Sequence, residues 1–326
     1  MTDDTFFRPR RLGHANLWVD NLARSEAFYH DSCGLTIEFW EPDLKATFLG
    51  TGNTPHDLGM IETTGGEARY GRNGLLQIPE GVGAKVGLGH LAWELGNEGE
   101  LVAAYEHALA ADIALDMTVD HQVAHSVYLY DPDGNYMEYY CDTVRDWRGV
   151  LHGEMELITS GWDPTEHAPS TESLVDPSPE IRVVASAPIH PRRLTHAVLV
   201  SDAPERLVSF YTSVGGLTEL HRTEDVVLLR ADASACPFHL AICGRHQTAP
   251  GYHHISFELA DEPALLKALA DTVERGLAPA LEVDDERKRS FYLRDPDGFL
   301  SEYYVGRSPD LPELTGVDGD RRPYLV

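Results

Sequence analysis

The first candidate for chemistry in this sequence is a carboxylate among aromatic residues. Glu138 lies in the apolar segment that follows the turn Asp131-Pro-Asp-Gly134. Alternation along a strand would put Tyr136, Glu138 and Tyr140 on one face. A buried carboxylate needs a partner, and a metal ion is a common one. Glu138 is therefore a candidate metal ligand.

The hairpin that carries Glu138 occurs twice in the chain. The segments 127–130 and 136–141 are apolar and β-prone, and the turn between them has a proline that fixes φ and a glycine that tolerates the left-handed region. The same unit returns at Phe291–Val305, where Glu302 stands in the place of Glu138. The sequence therefore predicts an internal duplication.

Each hairpin is preceded by two predicted strands that carry a histidine. The first set of candidate ligands is His14, His90 and Glu138, and the second set is His196, His254 and Glu302. From the second histidine to the glutamate the chain advances by 48 residues in both halves. The equal spacing predicts that the two sets occupy equivalent positions in the fold.

The elements around these residues repeat in the order strand, helix and three strands, a βαβββ module that occurs four times. Predicted amphipathic helices cover residues 22–35, 98–111, 205–216 and 263–276. We predict an α+β fold with two domains. Each domain pairs two modules into an open barrel-like sheet with helices outside.

The predicted domain boundaries follow changes in composition. We predict an N-terminal domain over residues 1–142, a linker rich in Pro, Ser, Asp and Glu over 143–191, a C-terminal domain over 192–306 and a tail over 307–326 that covers a site. The first half contains the longer Gly-rich loop, Glu62–Lys85. We expect this loop to shape a pocket.

Composition excludes several classes of partner. The net charge of −27 argues against nucleic acid and anionic membranes. No apolar run approaches the roughly 20 residues that a membrane helix needs, and the acidic first residues do not predict a signal peptide. Four cysteines without a CxxC pair are typical of a reducing compartment. We therefore expect a cytoplasmic protein.

Two imidazoles and one carboxylate on one face of a divalent ion leave its other positions open. This is the arrangement of non-haem iron(II) sites that activate oxygen. A single histidine or glutamate on a strand is more often a structural residue. A triad that recurs at matched positions favours metal binding.

Four further residues of the first half could assist such a site. His56 begins a predicted strand that should adjoin the His90 strand, and His121 and Tyr128 precede Glu138 in its hairpin. A histidine and a tyrosine near a metal supply an acid/base group and a phenolic donor. Asn16 lies on the same strand face as His14 and could orient a ligand. Taken alone, Tyr128 is equally compatible with a core residue and His121 with a solvated loop residue.

The hairpin and its histidine resemble a known signature. The string Val119-x-His121-x5-Val127-Tyr128-x2-Asp131-Pro-x-Gly134-x3-Glu138 is similar to that of the type I extradiol catechol dioxygenases of the vicinal oxygen chelate superfamily, which includes glyoxalases and bleomycin resistance proteins. The module pattern extends the resemblance from Arg11 to Val305.

The resemblance implies the chemistry of the site. It assigns the metal ligands to His14, His90 and Glu138, and it assigns the catalytic residues that surround the metal to Asn16, His56, His121 and Tyr128. It implies Fe(II) as cofactor, with Mn(II) as the alternative, and it implies that a catechol-type substrate is opened by O₂ next to the diol in aromatic catabolism. We also expect a homo-oligomer.

The chain departs from this family in the placement of its fuller site. In the usual members the working site lies in the C-terminal pair of modules. Here that pair lacks a histidine matching His121, because Val283, Asp284 and Asp285 stand there, and it has Val198 in place of Asn16. It keeps Tyr292, and His239 is matched to His56. We therefore predict that the first site is catalytic and leave metal occupancy of the second site open.

Two other functions remain compatible with the sequence. They are a glyoxalase-like isomerase with a metal site of similar shape and a non-catalytic protein that binds a small molecule. Substrate charge is open as well. An anionic substrate would need local arginines, for which the candidates are Arg69, Arg72 and Arg245, whereas an uncharged aromatic diol would need none.

Overall fold

The structure, a computed structural model, describes residues 6–155, 160–232, 236–308, 314 and 316–326. In the first half the elements are β1 (Arg11–Val19), α1 (Leu22–Ala27), β2 (Thr36–Glu41), β3 (Ala46–Gly50), β4 (Leu58–Glu62), β5 (Arg69–Tyr70), β6 (Leu76–Ile78), β7 (Gly87–Glu94), α2 (Glu98–Ala110), β8 (Met117–Asp120), β9 (Ala124–Tyr130), β10 (Tyr136–Asp142), β11 (Gly153–Glu154) and β12 (Ser160–Gly161). A π-helical turn, Phe28–Ser32, continues α1, and a 3₁₀ turn covers Trp147–Gly149.

The second half repeats this order. Its elements are β13 (Arg193–Ser201), α3 (Pro204–Ser213), β14 (Thr218–Arg222), β15 (Val226–Arg230), β16 (Leu240–Gly244), β17 (Gly251–Glu258), α4 (Glu262–Glu274), β18 (Leu281–Asp284), β19 (Lys288–Arg294), β20 (Leu300–Gly306) and α5 (Arg322–Leu325), which follows a 3₁₀ turn at Gly319–Arg321. The predicted α+β class and its paired modules are confirmed.

The strands of the described residues form two large sheets. The first has ten strands in the order β11-β2-β3-β4-β1-β7-β10-β9-β8-β12, and the second has eight in the order β14-β15-β16-β13-β17-β20-β19-β18. In both sheets the first strand of each module lies at the centre, because β1 pairs with β7 and β13 pairs with β17. The histidine strands and the glutamate strand are therefore neighbours.

Local sequence explains where the helices begin. The side chain of Asn97 caps α2 by accepting a hydrogen bond from the amide of Glu100 (3.0 Å), and Asp261 caps α4 in the same way. Pro204 occupies the first turn of α3, where its missing N–H costs nothing. These residues set the positions at which the three helices begin.

Reciprocal contacts join the two halves. The hydroxyl of Tyr211, on α3, donates to Asp131 at the turn of the β9–β10 hairpin (3.0 Å). The hydroxyl of Tyr29 donates to Asp295 at the turn of the β19–β20 hairpin (3.2 Å). One apolar cluster continues through both halves and includes the stacked rings of Phe7 and Tyr139. Each half therefore holds the hairpin turn of the other.

Several predicted elements have different bounds in the structure. The helix predicted over residues 22–35 is an α-helix only to Ala27, and the loop Glu62–Lys85 contains the small β5–β6 hairpin. Part of the predicted linker also pairs with the first sheet, as β11 with β2 and β12 with β8. The domain boundaries remain predictions. No helix in the described residues is long and apolar enough to cross a membrane.

Candidate metal centre

Three neighbouring strands place the first set of ligands. His14 lies on β1, His90 on β7 and Glu138 on β10, and Ala92 of β7 pairs with both His14 and Glu138. The β1–β7 register shifts on both sides of His14, between Leu12 and His14 and after Asn16. Such irregularities re-aim side chains. The three side chains thus converge on one point.

The ligand atoms converge closely. Oε2 of Glu138 lies 3.0 Å from Nε2 of His14 and 3.0 Å from Nε2 of His90, and the two nitrogens are 3.2 Å apart. Ligands about 2.1 Å from an octahedral ion are roughly 3.0 Å apart when they are adjacent. The spacing therefore fits one divalent metal ion bound on one face.

The carboxylate is prepared for a cation. Its second oxygen, Oε1, accepts a hydrogen bond from the Ser126 hydroxyl (2.6 Å). Burial alone would raise the pKa of the Glu138 carboxyl, but the charge and hydrogen bonds of His14 and His90 hold that pKa well below its usual range. Burial lowers the pKa of His14, which favours the neutral imidazole that metals bind. Sequence reasoning missed Ser126, although it lies two residues before Tyr128 on the same strand face.

His121 and Tyr128 form a pair beside the triad. His121 Nε2 lies 2.9 Å from the Tyr128 hydroxyl and 3.8 Å from Oε1 of Glu138. Burial lowers the pKa of His121 and, together with the nearby Glu138 charge, raises the pKa of Tyr128 well above 10. His121 is thus a neutral proton acceptor and Tyr128 a protonated hydroxyl donor.

His56 lies on the other side of His14. Their ring centroids are 4.0 Å apart, and both nitrogens of His56 are buried without a hydrogen-bond partner among the described residues. Burial, and then the neighbouring His14, lowers the pKa of His56 well below its usual value. The prediction that the His56 strand adjoins the His90 strand is wrong, because β4 pairs with β1 instead of β7.

Asn16 is placed by close packing against a glycine. Its Oδ1 is buried without a partner among the described residues. A Cβ added to Gly59, its neighbour on β4, would lie 2.0 Å from that oxygen. The matching pair in the second half is Val198 and Ala241. Only the first half therefore combines a polar side chain with room for it.

We expect Gly59→Ala to displace Asn16 and to lower kcat/KM for the reaction at this metal centre by about 10- to 100-fold, as loss of an orienting residue does. Asn16→Ala should give a similar loss, and the double variant should be no worse than Asn16→Ala alone. Ala241→Gly is the matched control and should leave kcat/KM unchanged. Additive losses in the double variant would contradict the coupling of Gly59 to Asn16.

A cavity of about 880 Å³ opens above the first triad. Its walls are largely aromatic and aliphatic, and its lining includes the triad itself together with His56, His121 and Tyr128. The long loop contributes one wall, as predicted, through Gln77–Pro79 and Gly81–Gly83, and the second half of the chain contributes Tyr252 and Phe299. The site can therefore enclose an aromatic molecule.

Among the described residues that line this cavity there is no lysine or arginine. The three arginines considered for an anionic substrate are engaged elsewhere. Arg69 donates to backbone carbonyls of Leu44 and Thr63, Arg72 pairs with Asp43 and Arg245 pairs with Asp202. His125 also lies apart from the site, because it contacts Glu98 and stacks on Trp162.

The second triad is less complete. His196, His254 and Glu302 also converge, but Oε2 of Glu302 is 3.6 Å and 3.9 Å from the two imidazole nitrogens. The match of His239 to His56 is wrong. Phe238 occupies that place, with its ring 4.4 Å from His196, and His239 accepts a hydrogen bond from the amide of Ala231.

The fold and the paired triads define a protein class. The chain matches the Glyoxalase/Bleomycin resistance protein/Dioxygenase superfamily over residues 11–139 and 193–303, and it belongs to that superfamily. A relative in Bacillus subtilis (strain 168), catechol-2,3-dioxygenase, is 27% identical over 295 residues, which are 87% of this chain and 93% of the relative.

Other similarities agree with this assignment. Biphenyl-2,3-diol 1,2-dioxygenase 3 of Rhodococcus globerulus is 29% identical over 147 residues, which cover 44% of this chain and 71% of that protein. Among solved structures, the Mn(II)-bound glyoxalase from Novosphingobium aromaticivorans superposes with a TM-score of 0.64 at 15% identity, covering 94% of this chain and 86% of that one. The structural likeness supports the fold, and the two relatives found by sequence are dioxygenases by name.

Proposed function

We propose that the protein is an Fe(II)-dependent extradiol dioxygenase that opens a catechol-type ring with O₂, and that the first site is the catalytic one. The observation that carries the proposal is the convergence of His14, His90 and Glu138 within 3.0–3.2 Å at the floor of an apolar cavity. Mn(II) is the alternative metal. When bound, the ion would supply open positions for both diol oxygens and for O₂ and would pass electrons between them.

The residues around the triad handle protons. His121 is neutral and close to Glu138, so it can accept the proton that a diol hydroxyl loses on binding. Tyr128 stays protonated, so its hydroxyl, which lies 2.9 Å from His121 Nε2, can donate a hydrogen bond to a bound substrate. His56 lies on the far side of His14. Because it is neutral, it can hold or return a proton when the O–O bond of dioxygen is cleaved.

The cavity indicates the substrate class. A single catechol ring occupies only a small part of about 880 Å³. The walls include Phe48, Leu88 and Phe299, and they bring no cationic side chain from the described residues. Burying a carboxylate there would cost several kcal/mol because it would have no counter-charge. The favoured substrate is therefore an uncharged catechol that carries a further apolar or aromatic substituent.

Oxygen uptake tests the reaction class. The protein is loaded with Fe(II) without oxygen and is then mixed with a panel of catechols in an oxygen electrode. We expect stoichiometric O₂ consumption and a yellow ring-opened product. Tight catechol binding without O₂ use would favour a binding protein instead, and isomerisation of a thiol adduct without O₂ use would favour a glyoxalase-like enzyme.

A second experiment tests the substrate charge. We expect kcat/KM for 3-phenylcatechol to exceed that for 3,4-dihydroxybenzoate by at least about 100-fold, which corresponds to roughly 3 kcal/mol. Leu88→Arg places a guanidinium on the cavity wall. This variant should reduce the ratio because kcat/KM for 3,4-dihydroxybenzoate should rise. A wild-type preference for the carboxylated catechol would contradict the assignment.

A further inference from the structure

The second triad contains a cationic side chain that the first one lacks. Nζ of Lys288 lies 2.6 Å from Oε1 of Glu302 and 3.2 Å from the Tyr292 hydroxyl. The ammonium also donates to the main-chain oxygen of Val326. Lys288 is only 7% exposed, and Glu302 is fully buried. A buried carboxylate needs a compensating charge, and in this half Lys288 provides it.

The matching residue in the first half is an alanine. Tyr128 pairs with Glu138 across β9 and β10, and Tyr292 pairs with Glu302 across β19 and β20. Four residues before the tyrosine, on the same strand face, the first half has Ala124 and the second has Lys288. Ala124 lines the open cavity. At this matched position of the two hairpins, the first half therefore has the methyl group of Ala124 and the second half has the ammonium of Lys288.

Residues 322–326 close the second site on the side where the first one is open. The carbonyl of Tyr324 accepts a hydrogen bond from the Tyr292 hydroxyl (2.7 Å), and its ring lies 4.7 Å from the ring of His253. Val326 is buried beside Lys288. The prediction that the tail covers a site agrees with this arrangement, and the covered site is the second one.

The imidazoles keep their ligand atoms available. Nε2 of His196 and Nε2 of His254 are buried without a hydrogen-bond partner among the described residues. Their other ring nitrogens are occupied, by Thr195 at 3.0 Å and by His253 at 2.6 Å. Two unpartnered nitrogens aimed at a buried carboxylate are the donor set of a metal site. Here, however, the positive charge beside the carboxylate comes from Lys288.

We propose that the second triad is a metal site whose cation has been replaced by the chain's own Lys288 ammonium, so that the protein binds one divalent ion per chain, in the first domain. Removing Lys288 gives the second triad the same set of free donors as the first. Placing a lysine at position 124 would block the first triad in the same way. The count of one ion rests on the metal centre proposed above, whereas the role of Lys288 is independent of it.

The test is metal stoichiometry in the full chain, without an affinity tag. Each protein is loaded with Co(II), dialysed and analysed by elemental mass spectrometry. We expect about one ion per chain in the wild type, about two in Lys288→Ala and one again in Lys288→Ala/His196→Ala. Ala124→Lys should reduce the wild-type value to near zero. Circular dichroism checks that each variant is folded.

The outcomes separate the two proposals. Two ions per wild-type chain, or a folded Lys288→Ala protein that still binds one, would overturn the role of Lys288. A folded Ala124→Lys protein that keeps its ion would also overturn it. If Lys288→Ala does not fold, the wild-type count and Ala124→Lys still decide. A wild-type protein without any ion would overturn the first metal centre alone, and Lys288→Ala should then still gain one ion.

Discussion

Glu138→Gln is expected to lose both bound iron and ring-cleaving activity. The substitution keeps the shape of the side chain but removes the charge on which His14 and His90 converge, at 3.0 Å from the same oxygen. Without an anionic ligand the site has two neutral donors, so we expect iron content to fall below about a tenth and kcat/KM to fall by at least about 10³-fold. Elemental analysis and oxygen uptake on the same preparation measure both quantities.

Glu302→Gln is the matched control for this variant. It removes the equivalent charge from the second triad and leaves the buried Lys288 ammonium without the Glu302 carboxylate, so the free energy of unfolding should fall by about 3 kcal/mol or more. Its iron content and its kcat/KM per folded protein should stay near the wild-type values. If activity were lost in Glu302→Gln and kept in Glu138→Gln, the catalytic site would lie in the C-terminal half.

His121→Phe is expected to slow the chemistry while iron stays bound. Phenylalanine fills the same space beside Tyr128 but cannot accept the substrate's proton, and His121 is not one of the three converging ligands. Loss of a positioned acid/base group costs about 10²- to 10⁴-fold in kcat. Single-turnover kinetics under O₂, together with iron analysis, measure the two effects separately.

A neighbouring histidine provides the control for His121. His125 lies on the same hairpin but contacts Glu98 and Trp162 outside the cavity. His125→Phe should therefore leave kcat within about twofold of wild type, in line with other substitutions away from a site. Loss of bound iron in His121→Phe, or equal losses of kcat in both variants, would contradict the proton-transfer role.

Much of the site could be predicted from the sequence because it depends on register. Side chains alternate along strands, so the equal spacing from His90 to Glu138 and from His254 to Glu302 places both pairs equivalently once the hairpins pair. The structure brings His14, Asn16, His56, His121 and Tyr128 to the same cavity. Their catalytic roles remain predictions.

The parts that sequence reasoning missed depend on long-range packing. His239 was matched to His56 by residue type, although the register of β16 on β13 puts Phe238 there. The contact of Lys288 with Val326 joins residues 38 positions apart, and the alternation of side chains along a strand does not predict a contact of this kind. The sequence did contain a signal for Lys288, because Ala124 and Lys288 each lie four residues before the matched tyrosine of their hairpin.

The hydrogen bonds of Tyr211 and Tyr29 between the two halves give the second half a structural role that needs no metal. Tyr211 anchors the turn from which the strand of Glu138 departs, and Tyr29 anchors the opposite turn. Each half therefore holds the turn of the other half's ligand-bearing hairpin, in addition to the strand pairing of that hairpin within its own sheet. Even without a reaction of its own, the second half would still support the first half. Separating the two halves would loosen β10, the strand that carries Glu138.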